Sequence, residues 1–325
     1  MPSLLLSLAR GAVTSPFKRA GRPGATLPAD RHHRPAAPAA PGPLAAYRRI
    51  CAFPETGPLP VTYPHVLGFP LAMRLMTGRS FPLPVTGLVH TWIEITAQRT
   101  LHPTDRIELT VYAEALTPHR RGTEVTVVTE ARLADELVWE SRSGYLSRHA
   151  TRTTPAPAPA APGPAPSHHP ARTTTPAAPG PASSHHPART TTPAAPAAPG
   201  PALPAVTEWR LPADLGRRYG AASGDRNPIH LYPLTARLFG FPRAIAHGMW
   251  TVARCLAEAP QPDPAHPLHS VHSVRADFRA PVLLPGTVTY ASDGTAFQLR
   301  GDGGRVHLTG TTARTAPEAA RDGRS

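Results

Sequence analysis

Residues 219–253 read YGAASGDRNPIHLYPLTARLFGFPRAIAHGMWTVA, and this stretch holds the residue types and spacing of an acid/base site. Asn227 precedes Pro228, which pushes it out of the helical region of backbone space. Asn227 can then cap a short helix with Pro228 at its first position. Asp225 falls just before that cap and His230 one turn inside it, so a carboxylate and an imidazole can reach one point in a cleft. Such a pair can exchange the roles of base and acid near neutral pH, and needs neither a metal nor a nucleotide. Further on, Ala246-His247-Gly248-Met249 opens an apolar helix. The N–H of Gly248 would lie at the positive end of that helix, where an oxyanion is favoured. The same residues also make a sound turn and cap with no chemistry, His230 being only a hydrogen-bonding neighbour. Spacing alone leaves both readings open.

The elements that must position these groups occur twice along the chain. In the first half, residues 63–78 (YPHVLGFPLAMRLMTG) read as an apolar helix. Runs near 88–98, 106–117, 122–133 and 137–148 follow with the apolar alternation of strands, as in RIELTVYAEALT at 106–117. In the second half, residues 248–259 read as an apolar helix, followed by strand-like runs near 270–279, 286–293, 295–300 and 304–312. One helix followed by several antiparallel strands, occurring twice, implies an α+β duplication.

Between the halves, APGPAPSHHPARTTTPA at 161–177 recurs at 178–194 with one change, Pro166 to Ser183. No apolar residue in it is larger than Ala, so it cannot bury a face; it reads as an extended, partly polyproline linker over 150–205. Its His pairs could take a stray metal, but repetition within a linker accounts for them more simply. The division expected is therefore an N-terminal extension (1–44, mostly disordered), a first domain (45–149), the linker (150–205), a second domain (206–313) and a tail (314–325).

The formal charge of +13 suggests a polyanion until it is located. Residues 1–50 carry eight Lys or Arg against Asp30 alone, and 150–205 carry no acidic residue. The two domains are close to neutral, so no nucleic-acid partner is expected. The opening MPSLLLSLARGAVTSPFKRAGR has an apolar run too short to span a membrane. Its composition resembles a transit peptide, but a bacterial N-terminal extension is the reading adopted. Cys51 and Cys255 are far apart and lack metal-type spacing, which fits a reduced cytoplasm. Cys255 reads as a small buried hydrophobe.

SGDRNPIH followed by AHGM resembles the signature of the MaoC-like, R-specific enoyl-CoA hydratase family, whose members adopt the hot-dog fold. LPVTYPHVLGFPLAMRLM, FPLPVTGLVH, LTPHRRG and VWESRSGYLSR in the first half resemble the N-terminal half of double-hot-dog 3-hydroxyacyl-thioester dehydratases. The resemblance covers roughly 45–149 and 206–312. It implies a double hot-dog, two long helices each wrapped by an antiparallel sheet, with the sheets joined into one. It implies that Asp225 and His230 bind one water and deliver it across the double bond of a trans-2-enoyl thioester. Gly248 would hold the thioester oxygen, and Asn227 would position the loop. The first half has no Asp-x-Asn-Pro-x-His, so it is expected to be non-catalytic and to shape the acyl tunnel. No cofactor is implied. The partner expected is an acyl-CoA or acyl-carrier-protein thioester, with no membrane, and the assembly a monomer or homodimer of double hot-dogs.

Two rivals share this fold. A hot-dog thioesterase usually relies on a carboxylate on or near the central helix, where this chain has only Glu258 at the far end. A non-catalytic acyl-thioester-binding module is opposed by the intact Asp225–His230 pair. Met249, Trp250 and Leu256 read as core. Arg275 and Arg279 are placed either near coenzyme A phosphates or in solvent. His119–Gly122 reads as a hairpin turn; His90 resembles a family position but has no evident partner, and structural is its default reading.

Overall fold

The computed structural model describes Lys18 and residues 24–85, 87–150, 203–259 and 271–314. The N-terminal apolar run, nearly all of the repeat linker and almost the whole tail lie outside the described residues.

The first half opens with strand β1 (His32–Ala37) and helices α1 (Pro41–Cys51) and α2 (Tyr63–Thr77). Strands β2 (Val89–Ala97), β3 (Ile107–His119), β4 (Gly122–Leu133) and β5 (Glu136–Arg148) complete it. The second half repeats the pattern: β6 (Ala205–Leu211), then α3 (Leu215–Ser223), α4 (Pro228–Leu231), α5 (Pro233–Leu238) and α6 (Gly248–Glu258). Strands β7 (Val271–Phe278), β8 (Gly286–Ser292), β9 (Ala296–Arg300) and β10 (Val306–Arg314) follow.

All ten strands form one sheet in the order β1-β3-β4-β5-β2-β7-β10-β9-β8-β6. The order within the first half, β1-β3-β4-β5-β2, is matched element for element by β6-β8-β9-β10-β7. The halves join where β2 pairs antiparallel with β7, from Trp92 opposite Asp277 to Thr96 opposite Ser273. The chain is thus a double hot-dog.

The apolar periodicity explains why these segments fold so. The faces of α2 bearing Leu71, Leu75 and Met76 are buried against Ile93, Ile95, Leu109, Val111 and Val127 of the sheet. Gly68 lets α2 approach closely, since a Cβ there would meet the Thr129 methyl at 2.7 Å. Along α6, Met249, Trp250, Val252, Ala253, Cys255 and Leu256 are buried beside Val274, Ala276, Val288, Phe297, Leu299 and Leu308. Burial of this kind, at roughly 25 cal/mol per Å² of apolar surface, is the main term holding helix to sheet. Cys51 and Cys255 are both free and buried. Among the described residues, no helix is long and apolar enough to cross a membrane.

One expectation is corrected. Residues 32–44 are not disordered: β1 pairs with β3, from His32 opposite Val111 to Ala37 opposite Ile107, and α1 begins at Pro41. The sequence HHRPAA hides a strand because an edge needs backbone bonds on one side only and tolerates proline. The register shifts between Arg34 and Ala37, around Pro35. β6 is likewise an edge strand, and it begins at Ala205, inside the segment read as linker.

Candidate active site

The site begins with two glycines one turn apart in α3. A Cβ on Gly216 would meet the His230 carbonyl oxygen at 1.9 Å, and one on Gly220 would meet that of Asp225 at 2.7 Å. The loop carrying both residues therefore rests directly on the helix backbone. α3 ends at Gly224 in the left-handed conformation (φ 81°), which turns the chain into that loop.

Asn227 caps α4: its Oδ1 accepts from the Ile229 N–H at 3.4 Å, with Pro228 in the first turn. Asp225 Oδ1 accepts from the Asn227 N–H at 3.1 Å, and the Asp225 N–H donates to Ser223 Oγ at 3.2 Å. His230 follows one turn into α4, where its Nδ1 meets the Ile245 carbonyl at 2.8 Å. A neutral ring can only donate to a carbonyl, so Nδ1 carries the proton and Nε2 keeps its lone pair.

Sequence reasoning singled out Asp225, His230, Asn227 and Gly248 but passed over His247, which touches the first two. Its Nε2 donates to the Asp225 backbone carbonyl at 2.9 Å and lies 3.8 Å from Asp225 Oδ2. Its ring stacks on that of His230, centroids 3.7 Å apart and planes 25° apart, and it lies 4.8 Å from the Tyr219 ring. Among the described residues, His247 Nδ1 is buried with no hydrogen-bond partner. The only signal in the sequence was its place beside Gly248; nothing in the spacing says that it reaches back to residue 225.

Burial is the first cause of every shift here. It raises the Asp225 carboxyl, opposed by the nearby His230 and the Asn227 N–H. It lowers His230, opposed by Asp225 and the Ile245 carbonyl. It pushes His247 well below the usual imidazole range, with His230 adding to the effect. The Asp225 side chain keeps 25% of its exposure while that of His247 keeps 2%, so the carboxylate is the more accessible of the two.

Asp225, His230 and His247 each bring a potential metal-ligand atom within 4.8 Å of the others. His230 Nδ1 and His247 Nε2 are, however, both engaged with backbone carbonyls, and rings stacked face to face do not aim lone pairs at one point. The arrangement suits moving protons better than holding a cation.

Gly248 is the first residue of α6, and its N–H has no acceptor within the helix. A Cβ there would meet the Phe278 ring at 2.8 Å, so the position is closed to other side chains without movement. Trp250 and Leu256 are core, as expected, with Trp250 Nε1 donating to the Ile50 carbonyl. Glu258 is engaged by Arg254 at 2.6 Å. Arg275, in β7, and Arg279, just past its end, have exposed side chains. Arg275 pairs with Glu94 and Asp277, and Arg279 with Asp277 and the Thr309 hydroxyl. His90 lies between Tyr145 and Phe278, with ring centroids 4.6 and 4.7 Å away.

Comparison with known proteins identifies the family. Residues 162–309 match the MaoC-like domain. The chain is 35% identical over 260 residues to 3-hydroxyacyl-thioester dehydratase X of Mycobacterium tuberculosis, covering 79% of this chain and 78% of that protein. The crystal structure of HtdX from Mycobacterium tuberculosis aligns with a TM-score of 0.65 and 30% identity, over 88% of this chain and all of that one. A MaoC-like dehydratase from Phytophthora capsici, 18% identical, shares the fold with a TM-score of 0.64 over 91% of this chain and 99% of that one. With the relative at 35% identity covered over most of its length, and one sheet uniting two such halves, the chain belongs to the MaoC-like family and is a hydro-lyase of the dehydratase type.

Proposed function

We propose that the protein interconverts trans-2-enoyl thioesters and (3R)-3-hydroxyacyl thioesters by syn addition and loss of water, with Asp225 and His230 acting on a single water. The observation that carries this reading is the state of the pair. His230 donates from Nδ1 to the Ile245 carbonyl and so holds a free Nε2, beside a partly exposed Asp225 carboxylate. In hydration, one of the two takes a proton from the water as its oxygen bonds to C3. That proton, held between the two groups, then passes to C2 on the same face, so the pair ends as it began. The opposed shifts, Asp225 upward and His230 downward, bring the two affinities together and lower the cost of exchanging roles.

The thioester oxygen gains enolate character as C3 is attacked. We assign this oxygen to the Gly248 N–H, which lies at the positive end of an eleven-residue helix. Asn227 holds the loop through its cap and its N–H bond to Asp225. The substrate is an acyl-CoA or acyl-carrier-protein thioester, and the first half shapes the channel for its chain.

Incubation with crotonyl-CoA and octenoyl-CoA, followed through the enoyl absorbance, tests the reaction, and chiral analysis of the product tests its stereochemistry. Loss of absorbance with a (3R)-hydroxy product is expected. Release of free thiol without loss of the double bond would mean a thioesterase. Binding without either change would mean a non-catalytic module.

A further inference from the structure

We propose that the first half carries a specificity subsite, built on His90 and Tyr145, that takes a hydroxyl group on the acyl chain beyond C3. This rests on the enoyl-thioester reading above. The sheet junction brings the residues together. Trp92 pairs with Asp277, so His90, just before it in β2, comes beside Phe278 of β7. The two rings lie 4.7 Å apart, and Phe278 in turn packs against Gly248. His90 also stacks on Tyr145, centroids 4.6 Å apart and planes 16° apart. Tyr145 is near enough to Asp225 to feel its charge, which adds to burial in holding the phenol un-ionised. Gly248, Phe278, His90, Tyr145 and Asp225 are therefore linked neighbour to neighbour, with two of the five from the supposedly silent half.

His90 is half-buried as a residue, and its Nε2 is buried with no hydrogen-bond partner among the described residues. Burial, with the neighbouring His65, pushes His90 down to about 3, and a bond to the Trp92 backbone opposes that. With its proton on Nδ1, a neutral ring presents this unpartnered Nε2 as an acceptor. Buried acceptors are rarely left unmet.

The polar lining continues inward. His65 lies parallel to His90 at 6.2 Å, and its Nδ1 is 3.1 Å from Ser141 Oγ; both residues are buried. This row leads into the first half, whereas the carrier end of the thioester must remain in solvent. The donor therefore belongs to the acyl chain. A hydroxyl can donate to His90 Nε2 and accept from the Tyr145 O–H, while a ketone can only accept.

The test uses the full chain and enoyl-CoA thioesters of equal length that carry a hydroxyl, a ketone or no substituent at successive carbons beyond C3. Preference is read as a ratio of kcat/KM values, so a general loss in a variant cancels. The wild type should favour one hydroxylated chain over its plain counterpart by about tenfold or more. His90→Phe, which keeps the stack and removes the acceptor, should bring that ratio close to one. Tyr145→Phe, a smaller change to packing, should lower it partway. A ratio near one at every position, as when a bound water satisfies His90, overturns the subsite, and so does a preference that survives His90→Phe. If no thioester turns over at all, the hydration reading fails instead. Calorimetric binding of the hydroxylated and plain thioesters then still decides the subsite by the same ratio.

Discussion

The imidazole of His247 lies flat on that of His230, ring centroids 3.7 Å apart, while its Nε2 reaches back to the Asp225 backbone carbonyl at 2.9 Å. One buried ring thus braces both members of the pair from a helix that neither belongs to. His247→Phe keeps the stack and loses the anchor. We expect kcat to fall about tenfold to a hundredfold with KM little changed, because a small displacement of positioned groups is costly. His247→Gln, which can still donate to the carbonyl, should recover part of the loss. Equal activity in wild type and His247→Phe would assign the ring to packing alone.

Asp225→Asn and His230→Gln should each lower kcat by about a hundredfold to ten-thousandfold, the range for a positioned acid/base group. If both act on one water, the double variant should be scarcely worse than the poorer single one. Multiplication of the two losses in a full kinetic cycle would mean that they act independently.

Gly248 separates into two effects. Gly248→Pro removes the N–H, and the preceding His247 (φ −66°, ψ 134°) already has the extended backbone that proline requires. Gly248→Ala keeps the N–H but sets a Cβ at 2.8 Å from the Phe278 ring, a crowding that both variants share. Turnover should fall on the order of a hundredfold further in the proline variant than in the alanine variant. Equal losses would move the oxyanion role away from this amide.

Stability should fall in acid through His65. Burial lowers this imidazole from 6.5 to about 4, so on acidification the unfolded chain takes up the proton first. The neutral ring costs nothing above pH 6.5, and stability drains away as pH falls from there toward 4. At about 1.4 kcal/mol per pH unit, the loss from this buried group is on the order of 3 kcal/mol. Urea unfolding at pH 7 and pH 4.5 should show a smaller acid loss in His65→Asn than in wild type. An unchanged pH dependence would show that His65 does not contribute.

The sequence by itself determined the duplicated plan and the local cap at Asn227. Helix and strand spans follow from apolar periodicity, and the Asn227–Pro228 cap follows from backbone sterics between adjacent residues. That physics is short-range and is written within a few positions of each element. Long-range pairing decided the rest. β1 was hidden because an edge strand carries little apolar pattern and has only a weak sequence signal; its register comes from β3, some seventy-five residues away. His247 became part of the site only when α6 was seated beside α4, and Gly216 and Gly220 mattered only because another segment's backbone lies on them. His90 acquired neighbours only where β2 meets β7, since a pairing of strands from opposite halves is set by the shared core and not by the residues beside it in the chain.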